Sequence, residues 1–271
     1  MKSSRELDID IKLIDKVDAL NLSVNAMKCL KIMLANEEIQ ASQEYANTVS
    51  IVRLGYNDHG PVHMRTVTYN SVLMLELLKK AGIKTSLEQD GCGDYEDSLI
   101  AVMIASMFHD LGMGMGRQNH ELHSTILALP LIDKILEQLY QDNIRKRVMI
   151  RATALEGIAG HMGTINISSI EAGIIQIADG CDMTKGRARI PIALASSHRL
   201  GHIHQYSANS IEGVTIQAGK EKPIRIDVNM SNEVGLFQVE EVLLHKIAQS
   251  TATQFIELYA KVRDDEPKKY L

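Results

Sequence analysis

Residues 99–110 read LIAVMIASMFHD. From Leu99 to Phe108 the run carries no charge, so it reads as a helix buried on nearly every side. It ends on His109 and Asp110. An ionised carboxylate beside an imidazole, at the tip of a core helix, is costly to desolvate unless a cation meets it. A metal ion is the economical answer. Gly112, Gly114 and Gly116 follow at once, ending the helix and letting the backbone bend tightly around whatever that pair holds.

On the N-terminal side of this run, apolar positions recur at helical spacing from Asp10 to about Leu54, with a break at Asn21–Ser23. The loop GYNDHGP follows, in which Asp58 and His59 fit a turn-fixing role. Pro61 suits the first turn of a further helix whose inward positions are His63, Val67, Asn70, Met74 and Leu77. Residues 82–95 read as a loop. Beyond the glycines, a helix is expected from about Asn119 to Leu129, stopped by Pro130, with more helix from about Leu131 to Gly160. Ser168 and Glu171 resemble a capping box opening a helix that carries Asp179 and Asp182.

After Gly186 the helical rhythm fades. Ile224, Ile226, Val228 and Met230 then alternate with Arg225, Asp227 and Asn229, which marks a half-buried strand. Ile211–Ala218 is its expected hairpin partner through GKEK, and a last amphipathic helix is expected from about Leu236 to Val262. The fold class is therefore mainly α. An all-helical domain over 1–205 carries a small α+β appendage over 206–271, which is too small to fold alone and should pack on the helical domain or on a second subunit of a homo-oligomer.

Composition narrows the functional classes. The chain has 271 residues, 45% of them hydrophobic, and a net charge of −5, enough for a sizeable core. It has no basic stripe, so duplex DNA is not the expected partner, while small anionic ligands remain open. Cys29, Cys92 and Cys181 show no CxxC spacing, which argues against a disulfide framework or a cysteine zinc site. No apolar run reaches the roughly 18 residues of a membrane span, and the opening MKSSRELDIDIKLIDK is too charged for a signal peptide. A cytoplasmic protein without membrane contact is expected.

The candidate metal ligands, in chain order, are His63, His109, Asp110, His120, His123, His161 and Asp179. Histidine and aspartate suit first-row transition ions, and Asp110 has two oxygens with which to bridge a pair of them. In NHELHS, His120 and His123 stand three apart and compete for one position, one or both coordinating. Asp182, one turn beyond Asp179, either orients a ligand or a proton or is a solvated charge on the helix face. His198, His202 and His204 form a separate group that Gly201 keeps off regular spacing, so a loop role is expected there.

The order H…HD…H…H…D resembles the HD-domain superfamily of metal-dependent phosphohydrolases, carried by FHDLG, NHELHS, GHMG and ADGCD across roughly residues 50–190. With RLGYNDHGPVH, GRARIP and GLFQVEE, the chain looks like an uncharacterised archaeal group of such proteins. The resemblance implies an all-helical catalytic core with His63, His109, Asp110 and Asp179 on a first ion. His120 and His161 would then complete a second ion, with Asp110 bridging and His123 the extra candidate. Members hold one, two or three ions, so their number does not transfer; one or two are expected here, of Fe, Mn, Co, Ni or Zn, among which a mixed His/carboxylate site does not choose. Many members carry HDIGK; here GMGMGR stands where that lysine would be, leaving Arg117 as the phosphate contact from that loop.

Two ions about 3.5–4 Å apart would lower the pKa of a shared water and clamp the attacking and leaving oxygens of a phosphoester. The transition state spreads negative charge over oxygens, so Lys185, Arg187 and Arg189, close behind the last ligand, are assigned to substrate phosphate. Asp110, Asp182 and Lys185 are the expected catalytic residues. The expected function is a phosphohydrolase or phosphodiesterase acting on a small phosphorylated substrate, with nucleotides as its class. A di-iron oxygenase and a non-catalytic, metal-stabilised nucleotide-binding module are the alternatives.

Overall fold

The computed structural model describes residues 2–21, 24–184 and 203–271. At its centre the apolar run forms helix α6, Tyr95–Phe108, every residue of which except Glu96 is buried. Asp94 starts it: its carboxylate accepts from the Asp97 amide, while the Asp97 carboxylate accepts from the Asp94 amide. Each large aliphatic side chain so buried contributes about 1.5–3 kcal/mol, enough to make α6 the helix about which the others arrange. Around it pack α2 (Val24–Ala35), α4 (Pro61–Lys80), α8 (Ile144–Gly160) and α9 (Ile170–Cys181). Outside them lie α1 (Ser4–Ala19), α3 (Glu37–Thr48), the single turn α5 (Ser86–Gln89) and α7 (His120–Leu139).

Several elements differ in extent from the sequence expectation. Asn21 breaks the first helix with a left-handed backbone, φ 49°, as expected. Asn36 introduces a second break: its side chain accepts from the Ile39 amide and starts α3. Pro130 does not stop α7, which runs on to Leu139. The carbonyl that proline leaves unpaired lies on the side of Ile126, which is exposed, while Ala128, Leu131, Ile132, Ile135 and Leu136 keep one buried stripe continuous through the proline. The expected loop 82–95 contains α5. The cap of α9 is Ser169, which accepts from the Ala172 amide. Glu171 instead turns to α5, accepting from the Ser86 and Leu87 amides and the Ser98 hydroxyl.

The C-terminal unit begins with α10 (Ile203–Asn209) and the hairpin of β1 (Ile211–Ala218) and β2 (Ile224–Met230), both strands where expected. The helix expected over Leu236–Val262 is a correction. A π-type turn over Gln238–Leu243 leads into α11, Leu244–Gln249, and Ile256–Val262 forms strand β3, parallel to β2 with Ile224 opposite Ile256. Serine and threonine end the helix by bonding backbone elsewhere: Ser250 Oγ donates to Gly173 O (3.0 Å) and Thr251 Oγ1 to Ser169 O (2.6 Å), docking the chain on α9. Beyond them Ile256, Leu258, Ala260 and Val262 alternate with Glu257, Tyr259 and Lys261, a period of two. A short β4, Lys268–Lys269, closes a sheet of order β1-β2-β3-β4. Among the described residues, no helix is long and apolar enough to cross a membrane.

One polar network ties the outer helices to the tip of α6. Arg65 on α4, 2% exposed, donates to Asp10 Oδ1 (2.6 Å), Gln40 Oε1 (2.8 Å) and Gln43 Oε1 (3.0 Å), and Gln43 Nε2 donates to Met107 O (2.9 Å). Lys2 is the second cation on Asp10, at 2.6 Å. Removing one partner of a buried pair costs about 3–5 kcal/mol. Arg65→Met is therefore expected to lower the unfolding free energy by that order in urea titrations, and a loss below about 1 kcal/mol would show that Asp10 is content with Lys2 alone.

Candidate metal centre

Four other helix ends meet the tip of α6. His63 lies in the first turn of α4, His109 caps the end of α6 with Asp110 behind it, His120 opens α7, His161 caps the end of α8, and Asp179 lies in the last turn of α9. Helix ends carry backbone groups with no partner inside the helix, and the histidines use them. His109 Nδ1 bonds Ser106 O (2.8 Å), His161 Nδ1 bonds Ile158 O (2.7 Å) and His120 Nδ1 bonds Arg117 O (3.0 Å). His63 Nδ1 bonds Asp182 Oδ2 at 2.7 Å. Each acceptor fixes its ring with the proton on Nδ1, so the lone pair of Nε2 points away from it, toward the centre.

Those four Nε2 atoms gather in two pairs: His63 with His109 at 3.1 Å, and His120 with His161 at 3.2 Å. Asp110 stands between the pairs. Its Oδ2 is 3.3 Å from both nitrogens of the first pair, and its Oδ1 is 3.2 Å from His120 and 3.5 Å from His161. Asp179 Oδ1 joins the first pair, 3.2 Å from His63. Facing nitrogen lone pairs repel unless a cation, a proton or a metal ion, lies between them. Among the described residues the sets able to hold an ion are His63-His109-Asp110, His109-His161-Asp179 and Asp110-His120-His161.

Electrostatics favour the ligand forms of both carboxylates and of His161. Burial alone would raise the Asp110 carboxyl, yet His109 and the imidazoles of His59 and His120 hold it well below the usual carboxylate range. Asp179 is likewise held well below it, against burial, by Lys246 and then by His109 and His63. Burial brings the His161 imidazole down to about 4, so at neutral pH it is an uncharged donor. For His109, burial is outweighed by Asp110 and Asp179, and its affinity for a proton rises.

The other residues singled out in the sequence divide. Asp182 meets the centre through His63. Arg117 lines the adjoining cavity, with Nη1 3.1 Å from His120 Nε2. His123 belongs to none of the three sets, and its Nδ1 is buried without a partner. Asp58 and His59 fix their turn, Asp58 Oδ1 accepting from the Gly60 amide (2.8 Å) and His59 Nδ1 bonding Asn57 O (2.6 Å). Lys185, Arg187, Arg189, His198, His202 and the side chain of His204 lie outside the described residues.

Two groups were not singled out from the sequence. Glu121 Oε2 lies 3.2 Å from His120 Nδ1 and its Oε1 accepts from Thr164 (3.0 Å). Lys246 on α11 bonds Asp179 Oδ2 and, at 2.9 Å, His161 O. Its signal was a lysine among Val239, Leu243 and Ile247 on the buried stripe of an amphipathic segment. A cavity of about 410 Å³ opens beside Asp110 and Asp179, walled by Tyr56, Arg117, Met183, Glu241, His245 and Lys246.

An uncharacterized protein of Methanocaldococcus jannaschii, MJ1020, is 40% identical to this chain over 235 residues, 87% of this chain and 88% of that protein. The chain belongs to that protein's family. Ribonuclease Y of Clostridium perfringens is 24% identical over 149 residues, 54% of this chain and 26% of the ribonuclease. Ribonuclease Y of Clostridium tetani is 27% identical over 139 residues, 50% of this chain and 24% of the ribonuclease. The matched segment thus spans about a quarter of the ribonuclease's length. No family model matches the chain, and no solved structure does. The likeness to ribonuclease Y and the buried His/Asp cluster together fit a metal-dependent HD-like domain.

Asp110→Ala removes the carboxylate that both imidazole pairs share. Elemental analysis after reconstitution should find its transition-metal content near zero with the helical circular dichroism retained; an unchanged content would mean the pairs do not depend on it. Gly112 lets the turn behind Asp110 pack on α7: a Cβ there would collide with His120 O and lie 2.6 Å from the Ser124 amide nitrogen. Gly112→Ala is therefore expected to lower bound metal and melting temperature together.

Proposed function

We propose that the protein is a metal-dependent phosphohydrolase or phosphodiesterase acting on a nucleotide phosphoester. The observation that supports this most is the division of the Asp110 carboxylate between two imidazole pairs, a donor set with room for two ions sharing one ligand. In this reading His63, His109, Asp110 and Asp179 hold one divalent transition ion and Asp110, His120 and His161 the other. Such ions, when bound, acidify a water and offset charge on phosphoryl oxygens.

The chain's own groups divide the remaining work. Asp182 keeps the His63 ring in the tautomer that presents Nε2 inward, and the Ser106, Ile158 and Arg117 carbonyls do the same for the other rings. Arg117 offers planar donors to an anionic oxygen entering the cavity, and Tyr56, whose ring centre is 6.0 Å from the Arg117 guanidinium carbon, adds an aromatic wall beside it. In this reading Lys185, Arg187 and Arg189 supply further cations to the substrate. The nucleotide class draws on the name of ribonuclease Y, an enzyme of RNA.

Protein reconstituted in turn with Mn, Fe, Co, Ni and Zn is expected to release phosphate or a phosphomonoester from a panel of nucleoside phosphates, cyclic nucleotides and short single-stranded RNA. Asp182→Asn should weaken metal binding by about 10–100-fold, the usual cost of losing a partner behind a ligand. A fully metallated protein that turns over no phosphoester but consumes oxygen with an organic substrate would overturn the proposal.

A further inference from the structure

We propose that Lys246 of the C-terminal unit is a substrate-contacting cation, receiving an anionic phosphoryl oxygen at the Asp179 side of the centre while Arg117 stands at the His120 side. The inference rests on the phosphohydrolase reading above. Lys246 lies on a helix that the sheet pairing brings back against α9, 67 residues beyond Asp179. Its residue is 6% exposed, and a lysine so buried is costly unless its charge is met.

That charge is met twice, by Asp179 Oδ2 and by the carbonyl oxygen of His161. Both acceptors belong to residues of the ion-holding sets, and they come from different helices. An ammonium has three N–H groups. Two are accounted for, and Lys246 is part of the cavity wall, so the third has the cavity as its outlet.

The consequence for Asp179 is a divided carboxylate: Oδ1 faces His63 and His109 while Oδ2 is held by the lysine. An ammonium held at two points is pre-aimed, and a pre-aimed donor is the kind that stabilises developing negative charge. The cavity also collects His245 and Glu241 from the same C-terminal segment. The helical domain thus supplies the residues of the ion-holding sets, and the C-terminal unit supplies a cation bonded directly to one of them. The first cation after Asp110 in the sequence is Arg117.

The test uses the full chain loaded with Mn²⁺, with inorganic phosphate as the probe and bound metal measured alongside. Lys246→Met is expected to weaken phosphate binding by about 10–100-fold, the range of a lost charge-assisted hydrogen bond, with Lys246→Arg recovering most of it and both variants retaining their metal. Should the Met variant not fold, Lys246→Gln serves as the neutral form. Unchanged phosphate affinity in the neutral variant, or a loss that only tracks lost metal, overturns the inference and leaves Lys246 a support for Asp179. A wild-type protein that carries its metal but neither binds phosphate nor cleaves any phosphoester overturns the phosphohydrolase reading itself, which separates the two failures.

Discussion

A carboxylate at the end of a buried, uncharged run cannot stay ionised in that position without compensation, and the rest of the molecule is arranged to provide it. Asp110 is surrounded by four imidazoles, each delivered by a different helix end. Each ring is fixed from behind by a carbonyl or by Asp182, so its lone pair has one direction available. The carboxylate and the lone pairs need the same thing, positive charge at the centre. That shared need makes a cation site out of residues which singly would be liabilities in a core.

The surrounding helices keep this geometry by means other than apolar packing alone. The Arg65 network reaches through Gln43 to the carbonyl of Met107, two residues before His109, so α1, α3 and α4 are registered against the tip that carries the ligands. On the other side Glu171 holds the α5 turn against α6 through Ser98. The helices bearing His63 and Asp179 are thereby linked to α6 by directional bonds, which fix rotation about a helix axis where hydrophobic contact alone leaves it loose.

Much of this was legible in the sequence because the histidines and aspartates of the cluster sit where apolar periodicity stops. The run to Phe108, Pro61 at a helix start and the alternation of Ile224–Met230 are local signals, and each marks its element in the structure. What was not legible depends on distant partners. Pro130 passes through α7 because a buried stripe on the opposite face outweighs it. The segment after Gln249 becomes a strand because β2 offers a parallel edge to Ile256–Val262, although its composition also suits a helix. Spacing alone left His120 and His123 equivalent; the backbone bond of His120 to Arg117 and the facing ring of His161 separate them. Lys246 lay hidden for the same reason, since nothing near it in sequence reveals Asp179.

The parallel pairing of β2 with β3 also orders events in time. A parallel partner requires a crossover, here the segment that contains α11, which puts Lys246 between the two strands in the order of synthesis. During synthesis, from the N-terminus onward, every imidazole and carboxylate of the centre leaves the ribosome before that lysine does. A nascent chain of that length therefore carries all of those side chains before it has the lysine that bonds Asp179 Oδ2 in the finished fold.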